Sequence, residues 1–357
     1  MVFLKVIITM DSKMAKDLFN ENCPQGVTTT SLINGKTSGV INLNSIKYQW
    51  AYNLWEIMLN NTWFPKEVDI TKDITQYKTL TPSEKGLYDK VLAQLIFMDG
   101  LQTNNTVDNV NPWITAPEIN MCLVRQAMEE ALHSQSYAVM VDSISINTNE
   151  IYEMWRVDKK LYSKNKHIVD IYNRYASEAE DSMEAKIYMI VANQCLEGIY
   201  FYSGFAAMYA LARNGKMPGS AQMIKFIQRD EITHLLLFAN IFNSMRAEFP
   251  ESFTEKVMEN IRELFKEAAN LEIDWGNYIT EEGILGLNNE IITNFVHFQV
   301  NSRANAIGME DIYPKVGHKV NPITWFDSFS KINDIKTNFF EGNNAAYSKG
   351  SVSMDDF

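Results

Sequence analysis

Glycine and proline are scarce, at 16 and 9 of 357 residues. Both fall below the usual shares of about 7% and 5%, which argues against a loop-rich or many-stranded fold and favours long helices. Cysteine is scarcer still. Cys23, Cys122 and Cys195 form an odd, widely spaced set without a CxxC pair, so a disulfide framework is excluded and a reducing, cytoplasmic compartment is expected. Basic residues are outnumbered, 32 Lys and Arg against 44 Asp and Glu, for a net charge of −12, and they form no block. A surface that tracks phosphates is therefore excluded, and with it a polynucleotide partner. The first ten residues lack a basic segment and a small-residue cleavage site, so no export signal is expected. What remains is an ordinary globular composition, 46% hydrophobic and 21% charged, in a chain long enough to bury about three quarters of its surface.

One run tests the soluble reading. Ile187 to Ala212 holds 26 residues with Glu197 as the only carboxylate, long enough to span a bilayer. No second run of this kind occurs, and a helix apolar on all sides also suits the centre of a large helical protein; a buried central helix is the expectation, with no membrane partner. Helical periodicity with few breakers predicts helices over about 47–62, 82–104, 117–145, 149–180, 182–213, 219–247, 252–275 and 282–304. Thr81-Pro82-Ser83-Glu84 reads as a capping box, and Pro117 suits a first helical turn. Gly308, Pro314, Gly317 and Pro322 make 305–325 an irregular excursion. From Glu341 the chain turns to Gly, Asn, Ser and Ala with an acidic, aromatic end, which predicts a mobile tail. The expected organisation is an N-terminal extension over 1–40, one all-α domain over 41–340 and a flexible tail over 341–357.

Two of the five histidines follow a glutamate by three positions, in Glu130-Ala-Leu-His133 and Glu231-Ile-Thr-His234. Chance gives fewer than one such pair. On a helix, positions i and i+3 share a face, so each pair offers a carboxylate and an imidazole to one metal ion. Apolar neighbours surround both pairs, as they do Glu197 and Asp99, and unpaired carboxylates there would be costly. A four-helix bundle that binds two metals takes one carboxylate from each of two helices and a Glu-x-x-His from each of the other two; Asp99, Glu197, Glu130/His133 and Glu231/His234 supply that set. Their four negative charges are cancelled by two divalent ions, or by two trivalent ions with one oxygen-derived bridge. Mixed imidazole and carboxylate ligation suits iron or manganese. The competing reading, buried ion pairs in a helical core, lacks enough basic partners nearby.

With these residues in place the chain resembles the small, radical-generating (beta) subunit of class I ribonucleotide reductase, from about Trp63 to the C-terminus. The matching pieces are Trp63-Phe-Pro-Lys-Glu-Val-Asp, Phe97-Met-Asp99, Glu130-x-x-His133-Ser-x-Ser-Tyr137, Leu196-Glu197-x-x-x-Phe201 and Arg229-Asp-Glu231-x-x-His234. The resemblance implies a ferritin-like helical bundle in which Asp99, Glu130, His133, Glu197, Glu231 and His234 are the metal ligands. It makes Tyr137 the site of a tyrosyl radical, and Phe201, Phe205 and Ile227 the dry pocket around it. Asp230 is the carboxylate that links His133 to Trp63 as a route for an electron and a proton. Tyr347 resembles the relay tyrosine between subunits, although its ten-residue interval to Phe357 is shorter than in many members. Phe357 anchors the tail on the large subunit.

The function implied is that of a ribonucleoside-diphosphate reductase subunit: a dimetal site uses oxygen to oxidise Tyr137, and the radical passes to a separate large catalytic subunit that reduces ribonucleotides to deoxyribonucleotides for DNA replication. The metals are two irons first, with manganese pairs and mixed pairs as alternatives. The resemblance also implies a homodimer and a flavodoxin-like activator or ferredoxin-type reductant. Two rivals make different demands. A dimetal oxidase acting on a small organic substrate needs an open pocket but neither Tyr137 nor the tail, and a ferritin-like storage protein needs a cage.

Overall fold

The computed structural model describes residues 19–26, 28–144, 147–179 and 181–330; Tyr347, Phe357 and the predicted tail over 341–357 lie outside them. Among the described residues thirteen α-helices run in chain order: α1 (Gln49–Asn60), α2 (Thr71–Tyr77), α3 (Pro82–Asn105), α4 (Pro117–Ile144), α5 (Asn149–Tyr152), α6 (Met154–Val157), α7 (Lys159–Glu178), α8 (Met183–Cys195), α9 (Tyr202–Arg213), α10 (Pro218–Glu248), α11 (Glu255–Thr280), α12 (Asn289–Ala306) and α13 (Phe326–Ser330). Among the described residues the only β pairing is two isolated bridges. No described helix is long and apolar enough to cross a membrane.

Local chemistry places the helix ends. Thr81 caps α3 in a complete capping box, with its side chain accepting from Glu84 N–H and Glu84 returning to the Thr81 amide. Pro117 opens α4. The expected helix over 149–180 is three helices instead. Asp158 is extended, and its carboxylate caps α7 by accepting from the amides of Lys160 and Leu161 at 2.9 Å, which starts a new helix where periodicity alone runs on. The expected 282–304 helix begins only at Asn289. Gly283 and Gly286 stand at positive φ in the preceding turn, and Asn288 caps the true start. Helix α2 and the short α13 went unpredicted.

Helices α3, α4, α8–α9 and α10 pack around one another at the centre, and all of Ala185–Leu211 is buried. The apolar 26-residue run is thus the innermost layer of the core. Leu32 and Ile33, upstream of the first helix, are also buried. Glu248 holds this segment by accepting from Ser31 Oγ and Leu32 N–H at 2.8 and 2.9 Å.

Candidate metal centre

Asp99 stands on α3, Glu130 and His133 on α4, and Glu231 and His234 on α10. Glu197 does not lie on a regular α-helix: Leu196–Tyr200 is a single π-helical turn between α8 and α9, a departure that often marks a functional site. All six side chains are 0% exposed. Their ligand atoms form two groups, Asp99, Glu130, His133 and Glu231 in one and Glu130, Glu197, Glu231 and His234 in the other, with the atoms of each group within 4.8 Å of one another. Glu130 and Glu231 belong to both and so lie between the two positions.

The histidines are oriented alike. His133 turns Nδ1 inward, 3.3 Å from Glu231 Oε1, 3.4 Å from Glu130 Oε2 and 3.8 Å from Asp99 Oδ2, while Nε2 lies 3.3 Å from Asp230 Oδ2. His234 turns Nδ1 inward too, 3.2 Å from Glu130 Oε1 and Glu231 Oε2 and 3.6 Å from Glu197 Oε2, and its Nε2 lies 2.9 Å from Glu129 Oε2. An outward N–H held by a carboxylate leaves the inward lone pair free for a metal. Asp230 Oδ2 also accepts from Trp63 Nε1 at 2.6 Å, so Trp63, Asp230 and His133 form one continuous chain. Glu197 Oε1 accepts from Gln102 and from Gln126 at 2.5 Å, which leaves Oε2 facing the centre.

The donor set fits a pair of cations. Both oxygens of Asp99 and of Glu130, His133 Nδ1, Glu197 Oε2 and Glu231 Oε1 are buried without a hydrogen bond, although buried polar atoms seldom go unsatisfied. Electrostatics agree. Burial, then the charges of Glu130 and Glu231, push the Asp99 carboxyl well above the ordinary carboxylate range. Burial likewise pushes Glu197 up against the pull of His234, with Glu231 and Glu130 adding to the rise. For His133, burial disfavours the charged form, but the surrounding carboxylates of Asp230, Glu130 and Glu231 raise its pKa; His234 is raised against burial by the carboxylates of Glu197, Glu129, Glu130 and Glu231. Glu130 also resists burial, its pKa held down to about 2 by the two histidines beside it. All four upward shifts favour added positive charge in the cluster. Two divalent cations supply it.

Tyr137 is fully buried one turn beyond His133 on α4, and its hydroxyl makes no hydrogen bond. Burial raises its pKa well above the usual phenol value, and Asp99 is the acidic group that raises it most. Phe201, Phe205 and Ile227 are each 0% exposed in the same core, with the two phenylalanine rings 5.8 Å apart.

Sequence reasoning missed Glu129, Gln102 and Gln126. Glu129 is buried, and it joins Arg125 Nε at 2.9 Å to His234. The available signal for Gln126 was its place one turn before Glu130.

Gly198 lets the π turn sit close to its neighbours. A Cβ there would lie 2.6 Å from Arg303 Nε and 2.8 Å from Leu235 Cδ2, and Arg303 Nε donates to Gly198 O at 3.2 Å. Overpacking of this kind costs about 1–3 kcal/mol, against about 1 kcal/mol gained from helix propensity. Gly198→Ala is therefore expected to lower the denaturant midpoint and to weaken metal binding beside it. Unchanged values in both would show that the contact yields without strain.

The fold is a ferritin-like bundle of helices around a buried carboxylate–histidine cluster whose donor set suits a pair of metal ions. The chain belongs to the ribonucleotide reductase small-chain family, whose model matches residues 40–322. It is 40% identical over 343 residues to the ribonucleoside-diphosphate reductase subunit beta of Treponema pallidum, covering 95% of this chain and 96% of that one. It is 36% identical over 328 residues to that of Halalkalibacterium halodurans, covering 91% and 93%. The ribonucleotide reductase R2 subunit from Clostridium botulinum has a similar structure, with a TM-score of 0.85 at 39% identity over 89% of this chain and 99% of that one.

Proposed function

We propose that this chain is the radical-generating beta subunit of a class I ribonucleoside-diphosphate reductase, an oxidoreductase subunit of the cytoplasm that works with a large catalytic subunit. The observation that carries the reading is the convergence of unpartnered buried carboxylate oxygens and His133 Nδ1 beside a buried tyrosine whose hydroxyl makes no hydrogen bond. Asp99, Glu130, His133, Glu197, Glu231 and His234 would hold two metal ions, two irons in first place, with manganese or mixed pairs as the outcomes that metal analysis separates. When bound, the pair supplies the oxidation of Tyr137 at the expense of dioxygen.

The chain's own residues do the rest. Asp230 and Glu129 fix the tautomer and orientation of the two histidines. Gln102 and Gln126 hold one oxygen of Glu197 and leave the other for a metal. Asp99 is the acid that acts most on the Tyr137 phenol, while Phe201, Phe205 and Ile227 exclude water and reductants from the radical. Trp63, through Asp230 and His133, gives an electron a path between the centre and the partner subunit. The finer expectation of a ferredoxin-type reductant or flavodoxin-like activator follows whichever metal is resident.

A second copy of the chain has a suitable face on α4. Val124, Met128, Ala131, Gln135, Ala138 and Val139 are exposed along one side, with Val124 63% exposed, and no charged side chain is exposed between Arg125 and Asp142. An uncovered stripe of this length favours a homodimer. The oxidase rival has less support, because the cavity of about 420 Å³ between Lys90, Lys160 and Tyr278 is lined by none of the six candidate ligands.

Radical transfer and docking separate in the tail. Deleting 351–357 is expected to abolish binding to the large subunit, since a terminal aromatic anchor such as Phe357 can dominate a small interface. Tyr347→Phe should leave binding, metal content and the Tyr137 radical intact and reduce turnover to background, because phenylalanine is too hard to oxidise. Ribonucleoside diphosphate reduction with saturating large subunit, alongside a binding assay, decides both. Near-normal turnover in Tyr347→Phe would remove it as the relay.

A further inference from the structure

The buried ion pair between Lys164 of α7 and Glu272 of α11 stands apart from the carboxylate–histidine cluster. Nζ and Oε2 are 2.5 Å apart, and the residues are 2% and 0% exposed. Apolar residues of similar volume often serve a core as well as a buried ion pair, so stability alone does not explain its place. Each ion also reaches the backbone that follows Glu197, three and six residues on. Glu272 Oε1 accepts from Ser203 N–H at 3.2 Å, an amide in the first turn of α9 and one of those a helix start leaves over. Lys164 Nζ lies 3.5 Å from Tyr200 O, the last carbonyl of the π turn, which Gln94 Nε2 also reaches at 2.8 Å. Gly276, one turn beyond Glu272, lets α11 approach: a Cβ there would stand 3.0 Å from Ser203 Oγ and 2.7 Å from Ile292 Cγ2.

We propose that Lys164 and Glu272 are positioning residues for Glu197, clamping the far end of the π turn so that the carboxylate meets the second metal position beside His234. Glu197 Oε1 is already pinned by Gln102 and Gln126. A change in the pitch of the turn therefore rotates Oε2 away from His234 Nδ1 instead of carrying the whole carboxylate with it. The inference rests on the dimetal reading above and concerns only the Glu197 side of the centre.

Anaerobic titration with manganese(II), followed by electron paramagnetic resonance and circular dichroism, tests it on four full-length chains: the parent, Glu272→Gln, Glu272→Met and the double variant Lys164→Met/Glu272→Met. The parent should bind two ions and give an exchange-coupled spectrum; fewer than two would overturn the dimetal reading and leave the clamp without an object. The double variant removes both charges, so it should keep parent-like helicity and melting temperature. Its second ion should bind at least about tenfold more weakly, as losing an outer partner of a ligand does, giving a six-line mononuclear signal at one equivalent. Glu272→Gln keeps an oxygen for Ser203 N–H and should hold the second ion within about threefold of the parent, on the same reasoning. If the double variant loses its helicity, Glu272→Met against Glu272→Gln carries the same contrast. Parent affinities and a coupled spectrum in the double variant, or equal weakening in Glu272→Gln and Glu272→Met, would overturn the clamp.

Discussion

Replacing Tyr137 by phenylalanine is expected to abolish the stable organic radical and lower ribonucleotide reduction to background, while metal content and melting temperature stay near those of the parent. The two halves of the expectation have different causes. Tyr137 is fully buried and its hydroxyl makes no hydrogen bond, so removing the oxygen strands no partner and leaves the ring packed. A volume-conserving core change of this kind costs less than about 1.5 kcal/mol, and removing an unsatisfied buried hydroxyl can offset part of that. The redox consequence is absolute by comparison, because a phenylalanine ring offers no phenol to oxidise. Electron paramagnetic resonance after oxygen activation, with a turnover assay on the same sample, checks both halves. An unchanged tyrosyl signal would place the radical on another buried tyrosine. Loss of metals in the variant would instead give Tyr137 a structural task that its unpartnered hydroxyl does not suggest.

Glu231→Ala is expected to take away at least one of the two ions and all oxygen-dependent radical formation. Glu231 belongs to both ligand groups, with Oε1 3.3 Å from His133 Nδ1 and Oε2 3.2 Å from His234 Nδ1, so its loss opens both positions at once. It also removes one of four negative charges, leaving two divalent cations with an uncompensated positive charge in a dry core. Loss of an outer partner alone weakens metal binding about 10–100-fold; loss of a shared ligand should exceed about 100-fold for the weaker position on that scale. Anaerobic equilibrium dialysis against iron(II) and against manganese(II) measures it. Two tightly held ions in Glu231→Ala would show that this carboxylate does not lie between them.

Most of the fold was legible because the chain punctuates itself sparingly. The four helices that meet at the centre carry almost no breakers, and two of their starts announce themselves at Thr81 and Pro117. The breaks that went unread have quieter causes. Asp158 ends one helix and caps the next with a single carboxylate, a signal that any exposed aspartate gives. The π turn at Leu196–Tyr200 inserts one residue into a run that is apolar on every side, where a shift of register leaves no mark on the pattern. The six candidate ligands were legible because carboxylates in apolar surroundings demand compensation, and two Glu-x-x-His pairs state which faces turn inward. Glu129, Gln102 and Gln126 were not, since a carboxylate with an arginine four residues away, or an amide on a helix, has an ordinary surface reading. Only tertiary packing buries them. Lys164 and Glu272 are 108 residues apart in sequence, and nothing in either neighbourhood points to the other.

The measurement that bears most directly on the dimetal centre is reconstitution of the purified chain, without its partner, with iron(II) and separately with manganese(II), followed by oxygen exposure in the presence of the reductant or activator appropriate to each metal. Metal analysis and electron paramagnetic resonance are read on the same samples. Two ions per chain in at least one series, with a tyrosyl signal that is lost in Tyr137→Phe, is the expected result. One ion or none per chain under both metals, or two ions with an organic radical that persists in Tyr137→Phe, would contradict it.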